Sequence, residues 1–329
     1  MADYKAIHGK NIQSLASDLD NAEGEGQIWF NTTSNDFKTI VKVVGAWSTG
    51  GALNTGRVQA GSSIQGTNTA TIVFGGYNPG APNGQTNNES YDGSAWTEVA
   101  DLNNARWSLS GFGISTSAMA AMGANPNSTS MVNYNETWDG SSWTEVGDLS
   151  TPRSGHTGTG TTTAALGSGG KIGENFQTIV EQYDGSSWTE VGDLNTARAY
   201  SGLTGITTAA LAFGGASPYT ANSESFDGSS WTEGSNLNTA RAYIEASWGV
   251  QTASFAVAGY SPSARYAITE QYDGSSWTEV ADIPTATSGG MGGGGSSSDG
   301  IYAGGQVPGA VNETYEWSQA TAAVTFTSS

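Results

Sequence analysis

The chain has 329 residues, with 47 Gly, no Cys, and 11 Lys plus Arg against 30 Asp plus Glu, for a formal net charge of −19. Such an acid excess repels phosphate backbones and excludes a nucleic-acid-binding role. The lack of Cys excludes disulfides, thiolate nucleophiles and Cys-ligated zinc or iron–sulfur centres. Few charged residues and abundant Gly disfavour long amphipathic helices, so an all-β fold is expected. The strongly acidic, Lys-poor surface suits a protein that stays soluble in salty water. Met1–Lys5 does not open a basic-then-apolar leader, and no apolar run reaches membrane-spanning length, so neither a secretory signal nor membrane insertion is expected.

In chain order, residues 1–42 lie outside any repeat. Gly26–Thr33 (GQIWFNTT) and Phe37–Val43 (FKTIVKV) are alternating runs around a polar turn, which predicts a hairpin.

From Trp47 onward the chain repeats. The phrase Asp-Gly-Ser-x-Trp-Thr-Glu starts at Asp92, Asp139, Asp184, Asp227 and Asp273, and a degenerate copy surrounds Trp47. The tryptophans Trp47, Trp96, Trp143, Trp188, Trp231 and Trp277 recur every 43–49 residues, the mark of a repeat architecture. One unit reads as four strands. An outer strand (Trp188–Val191) leads through a polar link to a small, Gly-rich inner strand after Arg198. An apolar second strand (Thr207–Gly215) follows. A third strand (Glu224–Phe226) then turns through Asp-Gly-Ser into the next outer strand. Asp-Gly between strand-like runs is a hairpin signal, because Gly accepts positive φ and Asp caps the turn.

Six second strands and six third strands give six units. The last has its inner strand near Thr287–Gly295, its second near Ile301–Gly305 and its third near Val311–Trp317, with no Asp-Gly-Ser-x-Trp copy after it. The strand within Val43–Ser48 has no inner strand before it, so it is expected to complete the last unit and hide two edges. Ala322–Thr327 is the alternative.

An apolar strand ending in Gly-Gly, then an aromatic, then Trp about five residues on, at this period, resembles the kelch-type β-propeller over residues 43–317. The resemblance implies a six-bladed, all-β kelch-like propeller closed by an N-terminal strand. A hairpin anchor segment (1–42) precedes it and a C-terminal tail (318–329) follows. Two units lack the second Gly. The turn Ser90–Trp96 also looks like the Ser-x-Asp-x-Gly-x-x-Trp turn of sialidase-like propellers, one residue shorter. That turn is structural there and is no sign of hydrolysis.

Two sets of charges follow the repeat. Arg57, Arg106, Arg153, Arg198 and Arg241 share one slot at the start of the inner strands, with Thr287 in the sixth. Glu89, Glu136, Glu181, Glu224, Glu270 and Glu313 share a slot on the third strands. The architectural reading is a partly buried ring of Arg–carboxylate pairs that sets register. The functional alternative is an Arg-lined mouth for an anionic sugar.

Catalytic chemistry finds little footing. His8 and His156 are the only histidines, so a His-based metal centre is not expected and no cofactor is implied. Galactose-oxidase-like enzymes share the kelch propeller but need a Tyr–Cys cross-link and two His on copper, and this chain has no Cys. Hydrolysis needs a distinctive carboxylate pair, whereas the regular carboxylates here fall in repeated slots. One His among many Ser is no basis for a triad. Gly289–Gly295 lacks the Lys-Ser/Thr and helix of a phosphate loop, and no EF-hand spacing occurs.

The Asp-Gly-Ser turns lie on one face. The irregular loops after the second and outer strands open on the other, where recognition is expected. The loops and inner-strand starts there carry Tyr77, Trp107, Tyr134, Tyr200, Tyr219, Tyr243, Tyr260 and Tyr266. Aromatics among Asn, Ser and Thr suit stacking on sugar rings; they serve equally to plug the channel.

The Ile28–Thr33 phrase followed by near-identical units is similar to virion proteins of marine tailed phages. That resemblance implies a location on the phage particle, on tail or capsid. Residues 1–42 would bind other virion proteins, with self-association, and the propeller would face outward. The expected function is a tail-fibre or tail-tip component that binds a host-surface glycan or protein without catalysis. A capsid decoration or scaffolding propeller and a glycan-active enzyme are the alternatives.

Overall fold

A computed structural model describes residues 13–15, 19, 27–42, 44–78, 80, 84–125, 130–216 and 218–325. His8 and most of the segment before residue 27 lie outside them. The described residues are all β, with no helix. The chain divides into two compact units, Met1–Gly45 with Gln319–Ser329, and Ala46–Ser318.

In the first unit, Ile28–Asn31 and Asp36–Lys42 form the antiparallel hairpin expected from their alternation. Asn31 Oδ1 accepts the Thr33 and Ser34 N–H groups at 2.9 and 3.0 Å, an Asx turn that fixes the reversal. Trp29 and Ile40 are buried, and Phe30 packs edge-on against Phe37 at 5.2 Å. Gln13–Leu15 adds in parallel on one side and Thr321–Thr325 antiparallel on the other. The C-terminal stretch considered as an alternative closing strand therefore pairs with Asp36–Lys42.

The second unit contains six four-stranded antiparallel sheets among the described residues. The first is Gly61–Ser62, Thr71–Phe74, Asn88–Tyr91 and Trp96–Val99. The sixth is Met291–Ser296, Asp299–Ala303, Thr314–Ser318 and Ala46–Thr49, in which Trp317 stands opposite Trp47. The intervening inner strands are Ser110–Ile114, Thr157–Thr161, Gly202–Ile206 and Ser247–Val250. Each inner strand neighbours the next, and the sixth neighbours the first. Inner strands are rich in Gly because neighbouring chains crowd them. A Cβ at Gly111, for instance, would come within 2.3 Å of the Ser62 backbone. The second strands begin later than their apolar runs imply: Thr207-Thr208 is the turn, and the strand is Ala209–Phe213.

Four of the outer-strand tryptophans hydrogen-bond to the sheet before their own. Trp231 Nε1 donates to Gly192 O at 2.9 Å, Trp277 Nε1 to Ser223 Oγ at 3.2 Å and Trp47 Nε1 to Ala281 O at 2.9 Å. Trp96 of the first sheet donates to Thr314 Oγ1 of the sixth at 2.9 Å. The buried Nε1 of Trp143 and of Trp188 has no hydrogen-bond partner. The rings fill the space between sheets; Phe74–Trp143 and Phe213–Trp277 meet edge-on at 4.8 Å.

The Asp-Gly-Ser turns share one geometry. Asp227 Oδ1 accepts from Ser229 N, Ser229 Oγ and Ser230 N, each at 2.8 Å, while Gly228 sits at φ +96°. These bonds favour the ionised form and hold the Asp139, Asp184, Asp227 and Asp273 carboxyls at about 2, with Asp92 lowered likewise.

Candidate functional site

The arginine slot is architectural in five sheets. Arg57, Arg106, Arg153, Arg198 and Arg241 are fully buried and paired with Glu89, Glu136, Glu181, Glu224 and Glu270. In the fourth sheet Arg198 also donates to Gly214 O at 3.0 Å and Asn222 O at 2.8 Å, closing the end of the second strand. Glu224 Oε2 accepts the Asn195 backbone N–H at 2.7 Å and its Nδ2 at 3.0 Å; that amide also reaches Trp231 O at 2.9 Å. Asn54, Asn103 and Asn238 donate in the same way, and Ser150 does so in the third sheet. Each glutamate thus joins the polar link, the inner-strand start and the third strand. Burial pulls every guanidinium pKa down, and the adjacent glutamate pushes it back up. These arginines do not line a mouth.

Glu313 does not belong to this ring. Trp317 faces Trp47 as Tyr91 faces Trp96, so the residue in the glutamate slot is Tyr315, opposite Tyr302. The motif's aromatic is Trp317, two residues beyond the Tyr315 that the sequence pattern suggests. Thr287 replaces Arg, and Pro284, which has no N–H, replaces the Asn donor. Tyr315 Oη instead bonds Thr285 Oγ1 at 2.9 Å. All members of the ionic network change together.

Two residues after each slot position the backbone turns left-handed. Gln59, Ser108, Gly155, Tyr200, Tyr243 and Gly289 have φ between +51° and +64°. Their peptides form a closed cycle. Ser108 N donates to Gln59 O (2.8 Å), Gly155 N to Ser108 O (3.1 Å), Tyr200 N to Gly155 O (2.6 Å) and Tyr243 N to Tyr200 O (2.7 Å). Gly289 N donates to Tyr243 O (3.4 Å), and Gln59 N to Gly289 O (2.9 Å). Non-Gly residues at positive φ are uncommon and mark a site that the surroundings over-determine.

The side chains on this cycle are unequal. Tyr200 leans over Gly155, where a Cβ would meet its ring at 2.5 Å. Tyr243 stacks on Tyr200 at 4.3 Å, 19° from parallel. Burial raises both phenols, Tyr200 to about 12. At Gly289 the series stops, and a Cβ there would meet nothing closer than Gln59 Cγ at 3.5 Å.

A cavity of about 610 Å³ opens at this place. Val58, Gln59, Trp107, Tyr243, Ser288 and Gly289 line it from the links before inner strands; Tyr77, Gly84, Tyr260, Arg265 and Gln306 line it from the loops after second strands. Both loop sets of the irregular face meet here. The volume lies within the roughly 300–1,000 Å³ range of small-molecule sites. Tyr77 and Trp107 approach at 6.0 Å, and Tyr260 stands edge-on to Tyr243 at 6.1 Å.

Of the eight aromatics expected on this face, Tyr77, Trp107, Tyr243 and Tyr260 line the cavity. Tyr219 packs behind Tyr260 at 5.9 Å, and Tyr200 is buried beneath Tyr243. Tyr266 bonds Ser261 Oγ through its hydroxyl at 3.0 Å. Tyr134 sits within a long third strand, Met131–Trp138, with its ring 5.0 Å from the buried Arg106 guanidinium. Arg265 and the amides Gln59 and Gln306 escape sequence reasoning because they occupy no repeated charged or aromatic slot.

Deeper in, a cavity of about 20 Å³ is lined by His156, Glu245 and the hydroxyl residues Ser62, Ser110, Thr157 and Ser247 among others. Both nitrogens of buried His156 and Oε2 of Glu245 lack a hydrogen-bond partner. Burial keeps His156 well below the usual imidazole range and pushes the Glu245 carboxyl up to about 8. No serine hydroxyl is hydrogen-bonded to His156, so no triad is assembled there.

No protein-family model matches the chain, and a search of curated proteins finds no match. Among solved structures the chain is similar to YjhT, with a TM-score of 0.66 and 12% identity over 80% of this chain and 95% of that one. At that identity the likeness shows the fold alone: the protein is all β, with four-stranded sheets in a β-propeller-like arrangement.

Proposed function

We propose that this is a non-catalytic recognition propeller of a phage particle, a tail-fibre or tail-tip component that binds a host-surface glycan at the mouth cavity. The ring is six-bladed and kelch-type, with Ala46–Thr49 as its closing strand. The hydrogen-bonded cycle and the pairing of Trp47 with Trp317 support that closure. The observation that carries the binding reading is the cavity itself. Two loop sets converge on it with four aromatic rings, and no Asp or Glu lines it among the described residues. Aromatic walls with a few amides suit sugar faces and hydroxyls, and a wall without carboxylates favours binding over acid–base hydrolysis. The virion assignment rests on the sequence resemblance of residues 28–33 and the repeats that follow. A capsid decoration role differs only in location.

Full-length protein is to be tested for retention on host cells and on a surface-polysaccharide array, beside Trp107→Ala and Tyr260→Ala. Loss of retention in both variants supports the mouth; unchanged retention overturns it. Immunogold labelling of particles decides between tail and capsid.

A further inference from the structure

We propose that the mouth cavity selects a sugar ring bearing a carboxylate, a hexuronic acid residue, with the ring on Tyr243 above Gly289 and the acid group on Arg265. This inference rests on the glycan reading of the mouth.

Arg265 is the sixth arginine of the chain and stands outside the repeated slot. The other five are matched by glutamates. Arg265 has no carboxylate partner among the described residues; its guanidinium lies over the Tyr260 ring at 5.8 Å and its buried Nε has no acceptor. A guanidinium offers a planar fork of donors suited to a carboxylate. An unmet donor on a cavity wall is where a ligand oxygen gains most.

The sign of the lining makes the same point. The chain holds 30 Asp plus Glu against 11 Lys plus Arg, yet among the described residues the one charged side chain on this wall is a cation. Long-range repulsion by the whole protein lowers the affinity for free anions generally. A short-range, water-excluded contact to Arg265 is therefore needed for an acidic ligand to hold.

Gly289 supplies the ring position. Tyr200 covers Gly155 and Tyr243 covers Tyr200, so a side chain at 289 would cover Tyr243 in turn. Glycine leaves that place to a ligand. The amides of Gln59 and Gln306 stand on the same wall and supply partners for ring hydroxyls.

The experiment titrates the full-length chain with trigalacturonate and with its carboxyl-reduced, neutral counterpart, by calorimetry. The acidic trisaccharide is expected to bind at least about tenfold more tightly, the worth of one charge-assisted hydrogen-bonded pair. Arg265→Gln is expected to abolish that difference, read as the ratio of the two affinities within the variant, while Gly289→Tyr weakens both sugars. Equal affinity for the two sugars, or a preference that survives Arg265→Gln, overturns the inference and leaves the glycan reading standing. Binding of neither sugar together with loss of cell retention in the aromatic variants also overturns it. Failure of those aromatic variants to affect retention overturns the mouth reading itself. Should Gly289→Tyr fail to fold, Arg265→Gln, on the rim of the cavity, decides alone.

Discussion

Trp47 and Trp317 face each other across an antiparallel pair although they lie 270 residues apart in sequence, with ring centroids 5.5 Å apart and Trp248 edge-on to Trp47 at 6.1 Å. The sixth sheet owes its outer strand to this pairing. Trp47→Ala is expected to cost about 3 kcal/mol, the low end for a large aromatic because Trp47 is only half-buried. Urea unfolding checks it. A chain running from Ala46 to Ser318 is expected to melt cooperatively by itself, whereas one starting at Gly50 leaves the third strand of the sixth sheet as an open edge and aggregates.

The pair of Arg198 and Glu224 carries a second prediction. Removing either partner strands a buried charge, so Arg198→Met or Glu224→Leu alone is expected to cost about 3–5 kcal/mol. The double variant is expected to lose less than the sum, because apolar residues of similar volume leave no unpaired ion. A double-mutant cycle in urea measures the coupling.

His156 occupies a position filled by Ala60, Leu109 and Ile244 in other sheets. Its imidazole is neutral when folded and titrates near 6.5 when unfolded. The unfolded chain thus binds the extra proton, and stability falls as pH drops below about 6.5. Glu245 works in the opposite sense. Its carboxyl rises from 4.5 to about 8 on folding. The unfolded chain releases its proton first, and this residue's contribution weakens as pH rises from about 4.5 to 8. Melting temperatures across pH 4–9 are expected to lose the acid-side slope in His156→Leu and the opposing slope in Glu245→Gln.

The turn aspartates predict behaviour in stronger acid. Asp139, Asp184, Asp227 and Asp273 keep their charge to about pH 2 in the folded chain against 3.8 in the unfolded one. Their contribution is complete above pH 3.8 and disappears as pH falls through about 2. Replacing all four by Ala is expected to flatten the stability profile between pH 4 and 2, read by thermal scans.

The repeated Asp-Gly-Ser-x-Trp phrase made the hairpins, the outer strands and the strand order legible, since each rests on local turn chemistry and a large buried ring. The sixth sheet was harder. Thr314-Tyr-Glu-Trp-Ser318 offers two aromatics for one slot, and only its partner strand, at the far end of the chain, selects Trp317. The left-handed residues were hidden because four of the six are Gln, Ser or Tyr, which carry no sign of positive φ. Arg265 carries no signal in the sequence because it stands outside every repeated slot. Tyr134 was misplaced because the third strand of the second sheet runs longer than its equivalents.

The closed cycle of six hydrogen bonds through Gln59, Ser108, Gly155, Tyr200, Tyr243 and Gly289 has an electrostatic consequence. A helix lines its peptide dipoles up and leaves a partial charge at either end. Here the dipoles run head to tail around a loop and their components in its plane cancel. The loop has no terminus, and each of its N–H groups is already engaged by a carbonyl. The cycle therefore offers a ligand no free N–H or helix-like end, and the charge preference at the mouth is left to side chains, which a single substitution can reverse.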